Sequence, residues 1–279
     1  MRNSGNVSIE QMDFSDQWLQ QVPQSVVCDD RYSFFRFRGI CDKIGNDNEI
    51  LLRSVQGTGE TMKIGIIQAS SQADKNGMIV RAVQRYAAGA EIINFGCRTG
   101  DSGIYSYVEI SLLAGLLLTS GAVDFIVTGC SSGQGMMLAC NSFPGVLCGY
   151  IPTPADAWLF AQINNGNAVS LPLGEGYTWA GKDNLEQTLK KLFSEPFGQG
   201  YPKNEAARKL RDTNLLKEIR AKSQTTVTGF LDSLAPELRN RILSKQDVTG
   251  YIRKYGKCER ITEWVRRQEE ERDGKTTGM

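Results

Sequence analysis

Val123-Asp124-Phe125-Ile126-Val127-Thr128-Gly129-Cys130-Ser131-Ser132-Gly133-Gln134-Gly135-Met136-Met137 decides the fold. Phe125 to Thr128 is an apolar, β-branched run that reads as a buried strand. Gly129 stops it, small residues follow, and an apolar segment with helical character begins near Gly135. Strand, tight loop, helix is the half-unit of a doubly wound sheet, which places its ligands at the carboxyl ends of the strands. Three glycines let the backbone approach a ligand and turn N–H groups toward it. The helix start adds the positive end of its dipole, which suits an anion or a developing oxyanion. Cys130 sits in this partial positive charge, which favours the thiolate. On the residues alone a second reading stands beside this one. Small residues after a strand also serve close packing, and a buried cysteine is commonly an inert small hydrophobe.

Other loop chemistries are excluded. No Gly-Lys-Ser/Thr follows, so this is not a nucleotide-binding P-loop, and the Gly-x-Ser-x-Gly elbow is absent. The chain has no histidine. That removes Ser–His and Cys–His pairs, histidine metal sites and imidazole acid–base catalysis. Proton transfer falls to Cys, Asp, Glu, Lys, Tyr or water.

Outward from the loop the same alternation repeats. Lys63 to Ile67 is a short apolar strand, and Asn76 to Ala88 carries helical spacing closed by Gly89. Glu91 to Gly96 is a second strand. Tyr107 to Thr119 is apolar on nearly every side, as a helix buried on most of its surface must be. Val146 to Tyr150 and Ala168 to Leu173 supply two more strands, and Pro172 argues for an edge or a strand end. Helices at Thr153–Gln162, with Thr153 as N-cap and Pro154 at its first position, and at Asn184–Phe193 complete the alternation. Five strands separated by helices predict an α/β fold on a parallel sheet.

Residues 1–61 read as an N-terminal extension with a half-exposed strand at Ser33–Arg38 and a linker at Gly57–Glu60. Residues 62–212 read as the main domain and 213–279 as a C-terminal helical extension. Beyond the last strand Glu205–Lys222 is charged and helical in composition, running across that boundary. Phe230 to Leu243 has amphipathic helical spacing interrupted by Pro236. Ile252 to Trp264 suggests another helix, and a charged tail from Gln268 is expected to fray. Length allows one sizeable domain plus an appendage. Lys plus Arg is 32 and Asp plus Glu is 31, so no net field points to nucleic acid or membrane. No run of 18 apolar residues occurs, so a soluble, cytoplasmic protein is the expectation. Seven scattered cysteines without a Cys-x-x-Cys pair fit reduced thiols and give no support to a metal site.

Several segments together resemble one family: Met62–Ile66, Ile93–Gly96, Gly129–Met136 running on through Ala139-Cys140-Asn141, Pro144–Val146 and Asn164–Asn167. It is the ribose-5-phosphate isomerase B and galactose-6-phosphate isomerase family, and the resemblance covers roughly residues 62–212. It implies a Rossmann-like three-layer α/β/α fold with a five-stranded parallel sheet, and a homodimer or homotetramer with active sites at the subunit interface. It further implies cofactor-free aldose–ketose isomerisation of a sugar phosphate through a cis-enediolate.

Carried over by position, Cys130 matches the family's proton-transferring base, and Ser132 stands where a threonine helps open the sugar ring. Ser131, Gly133, Gln134 and Gly135 match the enediolate-binding loop, and Asn164 a substrate-binding asparagine. Arg208 and Arg211 lie where the family places its phosphate-binding basic residues. Ser70, with Ala69, replaces an Asp–His pair, and Ile163-Asn164-Asn165 replaces His-Asn-Asp. A tyrosine of the second loop aligns with Ile104, beside Tyr105 and Tyr107. Asp74, Asp101 and Glu175 on strand-end loops are further acid–base candidates, and Trp158 and Trp179 are candidates for lining a sugar pocket. An isomerase of a different or unphosphorylated sugar, and a non-catalytic sugar- or phosphate-binding protein, are the competing expectations.

Overall fold

A computed structural model describes residues 61–276. The strand expected at Ser33–Arg38 and the linker at Gly57–Glu60 lie outside the described residues. Five parallel strands, β1 (Lys63–Ile66), β2 (Glu91–Asn94), β3 (Phe125–Cys130), β4 (Cys148–Tyr150) and β5 (Ala168–Pro172), form one sheet in the order β2-β1-β3-β5-β4. The chain builds β2 on one side of β1 and then crosses to place β3 on the other. That reversal opens a crevice at the carboxyl ends of β1 and β3, where such sheets bind ligands.

Alternation along the strands sends side chains to two separate cores. Phe125 and Val127 of β3, Ile64 and Ile66 of β1 and Val169 and Leu171 of β5 face α1 (Asn76–Tyr86), α4 (Pro154–Leu159) and α5 (Gly181–Leu192). Ile126, Cys130 and Ala168 face the opposite layer, α2 (Tyr107–Thr119) and α3 (Gln134–Ser142). The result is a Rossmann-like three-layer α/β/α fold. Helix α2 begins in a capping box, Ser106 with Glu109, and Ile110 to Leu118 is buried throughout. Its apolar circumference is explained by a second covering layer. Helices α7 (Val227–Ser233), α8 (Pro236–Leu243), α9 (Gln246–Tyr255) and α10 (Glu259–Thr276) join the same core through Leu231, Leu243, Ile252 and Trp264. Each fully buried side chain of this kind contributes roughly 1.5–3 kcal/mol relative to exposure.

Several expectations are refined. Pro172 is the last residue of β5, a strand between β3 and β4, so its missing N–H marks a strand end and not an edge. The spacing from Phe230 to Leu243 belongs to two helices, because Leu234 and Ala235 are extended before Pro236, which opens α8. Ile252 and Trp264 likewise fall on separate helices, with Gly256 extended between them. The charged tail does not fray at Gln268. Helix α10 runs to Thr276, and Glu269 is buried 3.2 Å from Arg253 Nε. The helix after β4 is α4 followed by a π-turn, Phe160–Asn164, ended by Asn165 at φ 46°. Helix α6 (Ala206–Ser223) spans residue 212 without a break. Among the described residues no helix is long and apolar enough to cross a membrane.

Candidate active site

Cys130 ends β3 and is buried, 7% exposed. The ladder continues past it on one side. Leu173 N–H donates to the Cys130 carbonyl at 3.0 Å and Gly174 N–H to the Ser131 carbonyl at 2.9 Å. The chain then turns into α3 through Gly133, the N-cap, at φ 75°. Only glycine takes this conformation without strain. A Cβ there would also lie 2.9 Å from the backbone of both Leu171 and Pro172. The Ser170 hydroxyl pins the turn by donating to the Gly133 carbonyl at 2.6 Å. The first-turn N–H groups of a helix have no intrahelical partner, and Gly133 offers no side chain to accept from them. These donors stand within a few residues of the Cys130 thiol, which is the arrangement an oxyanion requires.

The rim of the crevice is polar. Gln72, in the 3-10 turn that follows β1, donates to Ser131 Oγ at 3.0 Å. Gly174 packs against Ser131 so closely that a Cβ would come within 2.8 Å of its Cα. The next residue, Glu175, lies 2.9 Å from Lys75 Nζ, and Asp74 lies 2.6 Å from the same nitrogen. Hydrogen bonds to Asp74 and then Glu175 hold the Lys75 ammonium above its ordinary pKa, against a smaller opposing effect of burial. Trp179 presents its ring 5.4 Å from Lys75 Nζ.

Ser70 lies on the same edge of the sheet, engaged by the loop after β2. Its Oγ accepts from Tyr105 N–H at 2.7 Å and faces Cys97 Sγ at 3.2 Å, so it ties the end of β1 to the loop after β2. The C-terminal helices clasp the same loop. Tyr105 Oη and Ser244 Oγ are 3.2 Å apart, Arg241 bonds the Ile104 carbonyl, and its guanidinium stacks 4.4 Å from the Tyr105 ring centre. Asp101 caps its own turn by accepting from Arg98 N–H at 2.7 Å.

Cys130, Ser131, Ser132, Gly133, Gln134, Gly135 and Ser70 therefore share the carboxyl edge. Asn164 does not join them within one chain. It precedes β5, whose first residue, Ala168, pairs with Ile126. Four residues of strand separate that level from Cys130, about 13 Å. Arg208 and Arg211 are on α6, which is fastened to the loops entering β4 and β5 by Arg220 donating to the Val146 carbonyl and Thr213 to the Ile163 carbonyl. Arg208 pairs with Glu205 at 2.6 Å and Asp212 at 3.1 Å, which holds its guanidinium above the ordinary pKa. Arg211 is 74% exposed. Trp158 bonds Glu195 and packs on Tyr201 away from the rim. Sequence reasoning missed Gln72 and Lys75. Their neighbours, Ser131 and Glu175, are 59 and 100 residues away in the chain, and no local pattern joins them.

The ribose/galactose isomerase family matches residues 64–210. None of the curated proteins matches the chain. Among solved structures, a 4-deoxy-L-threo-5-hexosulose-uronate ketol-isomerase complexed with a tartrate is similar at 35% identity and TM-score 0.71, over 75% of this chain and 100% of that one. A ribose-5-phosphate isomerase from Vibrio parahaemolyticus is similar at 34% identity and TM-score 0.70, over the same shares. Both similarities span more of the chain than the family match.

Proposed function

Because the chain belongs to the ribose/galactose isomerase family, we propose that it is an aldose–ketose isomerase working through a cis-enediolate with Cys130 as the base. The observation that carries this reading is the placement of Cys130, the last residue of the central strand β3, immediately before the glycine-capped first turn of α3. The Cys130 thiolate takes the proton from C2 of the open-chain aldose. The C2–H electron pair forms the C1–C2 double bond, and charge moves to O1. The free N–H groups at the start of α3 receive that oxyanion, each donor contributing about 3 kcal/mol in comparable sites. A proton passes from O2 to O1, and the Cys130 thiol returns its proton to C1. No atom or electron is gained or lost, so no cofactor is needed. In this reading Ser132 assists ring opening, and Ser131, Gly133, Gln134 and Gly135 hold the sugar.

The substrate we propose is an open-chain sugar bearing an anionic group. The likeness of the Cys130 loop to phosphosugar isomerases supports a ribose-5-phosphate-like sugar. Serine at position 70, and the 35% identity to an isomerase whose name specifies a uronate, support an unphosphorylated sugar acid. In this reading Asn164, Arg208 and Arg211 serve the Cys130 loop of a second copy, and the proposed enzyme is a homodimer or homotetramer. Support comes from exposed apolar residues near the loop, Ile104, Tyr107 and Leu138, and on α6, Leu215, Leu216 and Ile219.

NMR in deuterated water with a panel of pentose phosphates, hexose phosphates and hexuronates tests the reaction. Solvent deuterium should enter C2 of one aldose and be lost in Cys130→Ala. Exchange retained in Cys130→Ala overturns the base assignment. Ligand-induced thermal stabilisation without exchange on any sugar would identify a binding protein instead.

A further inference from the structure

Lys75, with its partners Asp74 and Glu175, forms a charged cluster on this rim that proton transfer at Cys130 does not use. Its side chain is only 8% exposed, whereas its two partners, Asp74 and Glu175, are 61% and 76% exposed. A lysine stem covered to this extent fixes where its ammonium sits, and two carboxylates meet it there. Both carboxylates are exposed surface groups and neither is buried. Two short tethers hold the cation at the Cys130 loop. Gln72, three residues earlier, bonds the Ser131 hydroxyl, and Gly174, beside Glu175, packs on the Ser131 backbone.

Building on the isomerase reading, we infer that Lys75 binds the carboxylate of a sugar-acid substrate, at the position the Glu175 carboxylate takes in this conformation. Charge balance selects the carboxylate. Lys75 with Asp74 and Glu175 carries a net charge of one negative unit. A monoanionic carboxylate replaces Glu175 one for one and keeps that balance. A phosphate dianion brings a second negative charge against a single ammonium, where phosphate recognition commonly recruits arginine forks. Of the arginines proposed for that duty, Arg208 is already paired with Glu205 and Asp212. The Trp179 ring beside the ammonium supplies an apolar wall that excludes water from the new pair.

The test is steady-state isomerase kinetics of the full chain on D-glucuronate, D-glucose and D-glucose 6-phosphate, with Lys75→Met, Lys75→Arg and Glu175→Gln. Loss of a charge-assisted hydrogen bond should raise KM for glucuronate on the order of tenfold to a hundredfold in Lys75→Met, with kcat held and KM for glucose unmoved. Lys75→Arg should recover most of the loss. Glu175→Gln removes the competing carboxylate from an exposed position, so the variant folds and its KM for glucuronate should fall. An unchanged KM for glucuronate in folded Lys75→Met, or a raised KM in Glu175→Gln, overturns the inference. Wild-type turnover confined to the phosphosugar also overturns it while leaving the isomerase reading intact. If the wild type turns over none of the three and exchanges solvent deuterium into no pentose or hexose phosphate, the isomerase reading fails. Thermal stabilisation by D-glucuronate then decides the Lys75 site by itself: a shift lost in Lys75→Met upholds it, and no shift removes it.

Discussion

Replacing Gly133 by alanine separates two costs that the fold combines at the head of the site. Gly133 has φ 75°, a conformation that disfavours a Cβ by about 1–2 kcal/mol. Its Cβ would also press to 2.7 Å from Tyr150 Cε2 and to 2.9 Å from the Leu171 and Pro172 backbone. Backbone cannot rotate away as a side chain end can, and overpacking of this kind costs about 1–3 kcal/mol. Loss of glycine's freedom in the unfolded chain returns roughly 0.4–1 kcal/mol. Gly89 is the control. It has φ 78°, and a Cβ there meets nothing within 4 Å. Gly89→Ala therefore carries the conformational cost alone, about 1 kcal/mol after the entropic return. Gly133→Ala should exceed it by about 1–3 kcal/mol, a urea midpoint lower by roughly 0.5–1 M. The α3 amides move with the loop, and a displacement near 1 Å at a reacting centre costs on the order of a hundredfold in rate. Urea titration of both variants with deuterium exchange on the wild-type substrate measures the two effects. Equal midpoints for Gly133→Ala and Gly89→Ala would refute the packing argument, and full activity in Gly133→Ala would remove the α3 turn from the oxyanion site.

Two further outcomes are expected. If the site is shared between copies, Cys130→Ala and Asn164→Ala are each inactive alone, and mixing them restores about a quarter of the sites to full composition by random pairing of dimers. No recovery on mixing, or full activity of a sedimentation-verified monomer, would place the whole site within one chain. Alkaline stability follows from Tyr251 and Lys75. Burial, and then the charge of Glu91, push the Tyr251 hydroxyl from 10.0 to about 12, and Lys75 is also raised above its usual 10.5. Raised folded-state pKa values give stability that is complete below the unfolded values and is lost as pH climbs through the folded ones. The urea midpoint should hold to pH 10 and fall between pH 10 and 12. The Tyr251 hydroxyl is buried without a hydrogen-bond partner among the described residues, so Tyr251→Phe should be neutral or stabilising at pH 7 and should flatten the alkaline fall. A Tyr251→Phe variant that falls as steeply as the wild type contradicts this.

The sheet and the Cys130 loop were legible because their information is local. A β-branched run, a glycine stop and a helix start sit within fifteen consecutive residues, and α2 announced its double burial by being apolar all round. The edge on which Asn164 falls was also legible. In a parallel sheet the loop entering a strand lies at the opposite end from the loop leaving one, and Asn164 precedes β5 as Cys130 follows β3. Lys75 was not legible. Beside Asp74 it reads as an ordinary solvated pair, and only the fold brings Glu175 to it from 100 residues away. The break at Pro236 is visible in the sequence, but the division into two helices is not. Apolar spacing continues across it because α7 and α8 press the same side against one core, so periodicity alone hides the turn.

The C-terminal helices bear on the site more directly than their position in the chain implies. Arg241 on α8 meets Glu109 at 3.0 Å, and Glu109 in turn closes the capping box at the start of α2. The same arginine bonds the Ile104 carbonyl and stacks on Tyr105. The Tyr105 backbone exchanges two hydrogen bonds with Ser70, its N–H donating to Ser70 Oγ and its carbonyl accepting from Ser70 N–H. One residue back along the chain, after β1, Ala69 N–H donates to the Gly129 carbonyl at 3.1 Å, next to Cys130. Every link in this path is a packed or hydrogen-bonded contact, from α8 through the loop after β2 to the strand that carries the thiol. Where an Asp–His pair would place charged side chains at the end of β1, this chain has Ala69 and a Ser70 hydroxyl already engaged by Tyr105 and Cys97. The C-terminal helices thus pack against the corner where those side chains would stand, and they hold the Ser70–Tyr105 contact in place through Arg241 and Ser244.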